Sequence, residues 1–431
     1  MGVLQLRLTG CGGALKAALI VLWLVAAAAP LCYAGAAEDA ALNKYYMLRL
    51  KHDPGALKAI EAAARKYPGN LTIQLEYGYA VLKQKDYVSG RTAFRRAVRI
   101  APRRVDLWKQ LGYIDINLGD TDAAIDAFQH ASALEPDNQD LLLQLAYLQD
   151  RNGRHRDAAA LFRQVMHGSD PKKAKTGCRA YSNLRGLPNK VLPKPWFGEV
   201  YTAPEYFGHY NVAVFPADVR IGIHHGESTF VDTYGLARVN TDTRSGQTNF
   251  GTQLYSDNYA EIGGGIRVKP LADLPVVLYA ETGAAYDLID ENRNRWRPDF
   301  RAYAVYYDEW NLGLDCDDMK HVFGFKPVAD VYADAAYYTR YNNLITTAKA
   351  RPGLRLLETE TTAVDLYGVT TLSWDVDGVP SNRFAEVGIG LALRLFDPIP
   401  LVMRVEAVHR FLTDQNNYSE MRALLEYSVS F

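Results

Sequence analysis

Beyond residue 34 the chain has no apolar run of about 18 residues, so a later membrane-spanning helix is excluded. It has almost no net charge, with 48 Lys and Arg against 49 Asp and Glu, which argues against a general nucleic-acid binder. It is also poor in cysteine. Of four, Cys11 and Cys32 fall near the N-terminus, while Cys178 and Cys316 lie in segments of different character. Neither a disulfide framework nor a metal site is implied by that spacing. No catalytic motif stands out, and neither enzymatic activity nor a cofactor is expected. His224 and His225 are neighbours on an expected strand and so point to opposite faces, poor geometry for a shared metal. Asp315-Cys316-Asp317-Asp318 offers calcium ligands, but a short acidic loop is more often simply solvated. The low mean hydropathy leaves room for a porin-like barrel, whose strands are only half apolar.

What is present begins with a leader. Arg7 and Lys16 precede the apolar run Ala17–Ala29, followed by Pro30 and the small-residue stretch CYAGAA. A basic lead, a core too short to span a bilayer comfortably and a small-residue exit predict a secretory signal peptide over 1–34. Cleavage after Ala34 or after Ala36 fits equally well.

A period of 34 residues follows: Pro68, Pro102 and Pro136 share it, as do Phe94, Phe128 and Phe162, and Gly78, Gly112 and Ala146. Trp108, Leu111, Gly112, Ala124, Phe128, Ala131 and Pro136 resemble the tetratricopeptide (TPR) pattern, with Asp115 where that family has a tyrosine. The spacing predicts pairs of antiparallel helices. The small residue admits close approach, the phenylalanine fills the core, and the proline follows the second helix because it has no amide to continue it. One unit cannot bury its apolar face alone, so a stacked α-solenoid is expected over 38–185. Tyr79, Tyr113 and Tyr147 recur one place after the small residue, at a position that faces the concave groove in this family. With Asp106 and Lys109 they form a candidate ligand surface for a sugar polymer or peptide; the alternative is packing against the neighbouring helix. GLPNKVLPKP, with three prolines, marks a linker over 186–197.

From about residue 211 the helical period gives way to alternation. In the last segment Met421, Ala423, Leu425, Tyr427, Val429 and Phe431 share one face, and Glu420, Arg422, Glu426, Ser428 and Ser430 the other. RFAEVGIGLALRLF, LVMRVEAVHRF and AEIGGGIRVK repeat the pattern. Apolar outside and charged inside predicts a transmembrane antiparallel β-barrel over 198–431. Twelve strands can be placed, including one at 247–256; a count of 14 would draw on 310–327. The lumen set is Glu261, Arg267, Glu281, Glu386, Arg394, Arg404, Glu406, Arg410, Arg422 and Glu426, expected to neutralise one another. They would form either a polar track or a plug.

Tyr427, Val429 and the terminal Phe431 resemble the insertion signal of bacterial outer-membrane barrels. Helical repeats before a barrel resemble the exporters of bacterial exopolysaccharide. The barrel itself, through YSDNYAEIGGGIRVKPLADLPVVLYAE, ADVYADAAYY and RFAEVGIGLALRLF, is similar to the C-terminal domain of the phage-adsorption protein NfrA family. That resemblance covers roughly 197–431, and the family usually carries a longer solenoid. It implies an outer-membrane location with periplasmic repeats, outer-membrane lipid and the barrel-assembly machinery as partners, and phage adsorption on outer loops. Export would add a polysaccharide chain and an inner-membrane glycosyltransferase. The alternative is a closed barrel serving as receptor or scaffold, whose solenoid docks periplasmic partners.

Overall fold

The structure is a computed structural model. It describes residues 35–192, 195–226, 230–248, 251–253, 256–289, 294–316, 323–379, 382–397, 399–413 and 416–431. The predicted signal peptide lies outside the described residues. The chain divides into two compact units, before and after the Leu148–Gln149 bond.

The first unit is helical. Its elements are α1 (described from 35 to 50), α2 (Ala56–Lys66), α3 (Leu71–Leu82), α4 (Tyr87–Ile100), α5 (Val105–Asn117), α6 (Thr121–Leu134) and most of α7 (Gln139–Arg151). Each boundary has a local cause. Asn70, Asp86 and Asp120 cap α3, α4 and α6 by accepting from Ile73, Ser89 and Ala123 amides at 3.0, 3.0 and 3.2 Å. Gly119 makes the tight turn between α5 and α6 at φ +74°, a conformation costly for other residues. The small column works by contact: a Cβ on Gly112 would lie 2.5 Å from the Phe128 ring, and one on Gly78 2.7 Å from Phe94. Both phenylalanines are fully buried, as are Ile60 and Ala124. Asp115, at the position of the family tyrosine, is buried as well and faces Arg91 at 3.4 Å.

The second unit holds α8 (His155–Met166), α9 (Pro171–Leu184) and a β-barrel. Its strands are β1 (Trp196–Thr202), β2 (Glu205–Phe207), β3 (Val212–Gly226), β4 (Phe230–Asp242), β5 (Gly246–Thr248), β6 (Gly251–Gln253), β7 (Tyr259–Lys269) and β8 (Val276–Asp287). Then come β9 (Trp296–Trp310), β10 (Phe323–Tyr338), β11 (Asn343–Glu358), β12 (Thr362–Asp375), β13 (Phe384–Leu395), β14 (Leu401–Leu412) and β15 (Tyr418–Ser430). All pairings are antiparallel. β1 and β2 both lie between β15 and β3, so together they form one stave and close the wall at twelve staves.

The number matches the sequence reading, but its membership does not. The first stave lies across the end of the expected linker and before the first expected strand; Pro204, which cannot donate to a ladder, interrupts it. The segment at 247–256 instead carries the separate hairpin of β5 and β6. No strand is inserted between β9 and β10 within the described residues.

Alternation holds around the wall. Outward Val219, Ile221, Ile262, Ile266, Leu278, Ile389, Leu391, Val405 and Met421 are exposed. Exposed aromatics flank this aliphatic band: Trp196, Trp310, Phe323 and Phe325 at one end, and Tyr206, Phe215, Trp296, Trp374 and Phe411 at the other. An aliphatic belt between two aromatic girdles is the surface a bilayer requires. Among the described residues no helix is long and apolar enough to cross a membrane.

The helical pair α8–α9 is fixed to the barrel end where β9, β11 and β13 finish. Contrary to the sequence reading, Cys178 of α9 and Cys316 after β9 form a disulfide. Their 138-residue separation hid a proximity that exists only once α9 lies on that turn. Beside it, the Leu314 amide donates to Ser182 Oγ at 2.8 Å, and Arg185 donates to the Leu312 carbonyl at 3.2 Å. The Arg185 guanidinium also lies 3.8 Å over the Phe396 ring. Arg163 and His167 both engage Glu360. The expected linker is docked too, since the Lys190 amide donates to the Gly153 carbonyl at 2.7 Å.

Candidate functional site

Two surfaces carry the chemistry, one in each unit. In the solenoid, Tyr79, Tyr113 and Tyr147 stand on α3, α5 and α7 at equivalent positions and are 45, 43 and 42 % exposed. Tyr79 and Tyr113 meet Phe94 and Phe128 edge-on, each with centroids 5.2 Å apart. One side of each ring therefore packs while the other faces water. On α5, Asp106 is held by Arg104 at 3.1 Å, and that guanidinium keeps its carboxyl below the usual range. Lys109 is half-buried on the same helix. Burial pushes the Asp115 carboxyl above its ordinary value in spite of Arg91.

The lumen is built from the inward positions of every stave. Glu281 and Glu406 are its anchors, 1 and 0 % exposed. Glu281 accepts from Tyr234 Oη at 2.8 Å, from Tyr303 Oη at 2.8 Å and from Arg238 at 2.9 Å; Arg220 approaches at 3.3 Å. Glu406 accepts from Tyr367 Oη at 2.9 Å, from Arg351 at 3.1 Å and from Arg422 at 2.8 Å. Around the first, Arg238 binds Asp218 at 2.8 Å and Arg301 binds Glu261 at 3.0 Å. Around the second, Arg422 and Arg410 bind Glu386 at 3.1 and 2.6 Å, and Arg404 binds Glu426 at 3.2 Å. Arg394 bridges Asp365 at 2.7 Å and Asp330 at 3.4 Å. Charges buried this way are stable because each is paired and hydrogen-bonded.

All ten lumen residues named from the sequence face inward and are paired, but many partners are others. Arg267 binds Asp232 and Glu199 rather than a named glutamate, at 2.6 and 2.7 Å. Asp218, Arg220, Tyr234, Arg238, Arg301, Arg351 and Tyr367 were not singled out. Their signal was a charged or tyrosyl residue every second position within a strand. His224 faces inward to Asp232 at 2.6 Å, whereas the alternation turns His225 outward. Asp315 and Cys316 are described, but Asp317 and Asp318 lie outside the described residues. Among the described residues no cluster suited to a metal ion occurs. Tyr427 and Val429 face outward on β15, and Phe431 closes the seam by exchanging 2.9 Å backbone bonds with Gly198.

The two anchors belong to matching rows. Across β3, β4, β7, β8 and β9 the ladder aligns Gly222, Tyr234, Gly265, Glu281 and Arg301. Across β11, β12, β13, β14 and β15 it aligns Gly353, Tyr367, Gly390, Glu406 and Arg422. In each row the tyrosine ring lies over the next strand's glycine, where a Cβ would come within 2.9 or 2.5 Å of it, and so reaches the glutamate beyond. Corresponding strands are six staves apart, half of the closed wall. The barrel is thus a pair of equivalent halves related by a pseudo-twofold axis along the lumen.

Tetratricopeptide-repeat family models match residues 54–104 and 116–168. The helical region is a TPR array. No curated protein matches the chain. Among solved structures, MamA shares 19 % identity, covering 35 % of this chain and 81 % of its own with a TM-score of 0.30. YrrB, described as a TPR protein with an unusual peptide-binding site, shares 17 % identity over 33 % of this chain and 74 % of its own, with a TM-score of 0.29. The TPR array and the closed barrel together fit an outer-membrane TPR-barrel protein.

Proposed function

We propose that this protein sits in the outer membrane of a Gram-negative bacterium with its TPR array in the periplasm, and that its barrel passes an exopolysaccharide outward. The observation that carries this reading is the contrast between the two faces of the wall. The outside is an aliphatic band between aromatic girdles. The inside is polar and keeps inward-facing aromatic surface in contact with water: Tyr201 is 43 % and Tyr307 45 % exposed. A barrel serving only as an anchor has no need of hydrated rings in its interior. The half-exposed tyrosine ladder of the TPR array suits handling of the same chain before it enters. An inner-membrane glycosyltransferase would supply the polymer, and the barrel-assembly machinery would insert the protein. The likeness to the NfrA family adds phage adsorption on the loops opposite α9.

Reconstitution of the full chain into planar bilayers tests the passage. Steady conductance is expected. A silent barrel would overturn the export reading in favour of a closed receptor or scaffold whose TPR array docks periplasmic proteins. The ion pairs that reach across the lumen, such as Asp330 on β10 to Arg404 on β14 at 3.6 Å, favour that second reading.

A further inference from the structure

The two ion-pair blocks leave a seam between them. One block spans β3 to β9 and the other β10 to β15; they meet at one end of the wall, where Arg340 after β10 binds Asp257 at 2.9 Å and Asp287 at 3.9 Å, and the pairs named above around Glu281 and Glu406 stay within their own blocks. Phe197 of β1 pairs with Gly222, and Val328 of β10 pairs with Gly353, so the row equivalence extends to the first and seventh staves. Four residues further along those strands stand Tyr201 and Tyr332. They are equivalent under the pseudo-twofold, on diametrically opposite staves, both pointing inward. Tyr307 is Tyr332's neighbour in the ladder and is likewise exposed to the lumen. Glu205, on the Tyr201 side, lies 3.7 Å from Arg422, and Lys349 is paired in register with Tyr332.

We propose that Tyr201 and Tyr332, with Tyr307, form a binding station for an uncharged polysaccharide at the seam of the barrel. The proposal deepens the export reading by naming its substrate class. Tyrosine faces take the C–H faces of pyranose rings, while their hydroxyls, Glu205 and Lys349 offer hydrogen bonds to sugar hydroxyls. The charge pattern sets the class. The carboxylates and guanidiniums of the two blocks are engaged with one another, and the groups beside the seam carry opposite signs. A polyanion would meet Glu205 and a polycation Lys349, whereas a neutral chain meets neither penalty.

The test is current blockade of the full-length protein in planar bilayers by maltoheptaose, by a sulfated maltodextrin and by a chitosan oligomer. Maltoheptaose should interrupt the current at lower concentration than either charged oligomer. Its half-blocking concentration should rise roughly tenfold in Y201A/Y332A, the loss of about one ring-stacking contact. It should change by less than about twofold in Y201F/Y332F, which keeps the rings. Equal blockade of parent and alanine variant, or stronger blockade by a charged oligomer, would overturn the station. If no current flows, the passage reading fails. Calorimetric titration of the detergent-solubilised protein with maltoheptaose then decides the station separately: tyrosine-dependent binding sustains it, and absence of binding overturns it.

Discussion

The two regions of this chain are both repetitive, but only one shows it in its sequence. In the TPR array a unit is a fixed length of chain, because two helices and their turns leave no room for insertion. Gly78 and Gly112, Phe94 and Phe128, and Pro102 and Pro136 therefore recur at one interval that can be counted directly. In the barrel the conserved quantity is hydrogen-bond register. Glu281 and Glu406 are 125 residues apart, whereas Gly222 and Gly353, in the same two rows, are 131 apart. Connections of different length absorb the difference. Repetition of helices is written along the chain, and repetition of strands is written across it.

The strongest way to break this comparison is to remove one anchor at a time. Glu406→Ala takes one carboxylate each from Arg351 and Arg422, which keep Asp330 and Glu386, and Glu281→Ala takes one each from Arg220 and Arg238, which keep Asp218. Because a second carboxylate remains, the cost stays below the about 3–5 kcal/mol of a buried pair that loses its only partner. Both variants should lower the urea midpoint of the vesicle-folded barrel, and by similar amounts. A large loss from one and none from the other would show that the halves are not equivalent.

The disulfide tests a different boundary, that between helix and barrel. Cys178→Ser should destabilise the second unit by about 2–4 kcal/mol, since a long loop is no longer closed in the unfolded chain. Proteolysis within 186–192 should become faster, and Cys316 should become alkylatable without reductant. Unchanged proteolysis would mean that Arg185, Ser182 and Glu360 hold α9 in place unaided.

These features differ in how far the sequence exposed them. Core positions Phe94 and Phe128, the inward parity of Glu406 and Arg422 and the outward parity of Met421 follow from period alone, 3.6 residues in one region and two in the other. The first stave did not, because Pro204 splits it into pieces too short for alternation to register. Nor did one partner of Arg267, since Glu199 lies on that missed stave. The Cys178–Cys316 bond and the facing of Tyr201 and Tyr332 arise from closure, a property no local window contains.

The smallest effect comes from the departure of the α5–α6 unit from the TPR family pattern. Asp115 takes the tyrosine's place, 1 % exposed, with Arg91 at 3.4 Å and shared with Asp120. Burial raises its carboxyl above the unfolded value, so the net effect of folding is to disfavour the charged form. The folded state then binds more protons than the unfolded one between the two values. Stability therefore falls as pH rises through that acid window and stays lower above it. Asp115→Asn, which needs no charge at the site, should remove this slope and match or exceed the parent at neutral pH by about 1 kcal/mol or less. Thermal unfolding of parent and variant between acid and neutral pH measures it. A neutral-pH loss larger than the acid-pH loss would mean that the Arg91 contact outweighs burial. Asp115 would then be a paired charge favourable to the array, not a tolerated substitute for the ring.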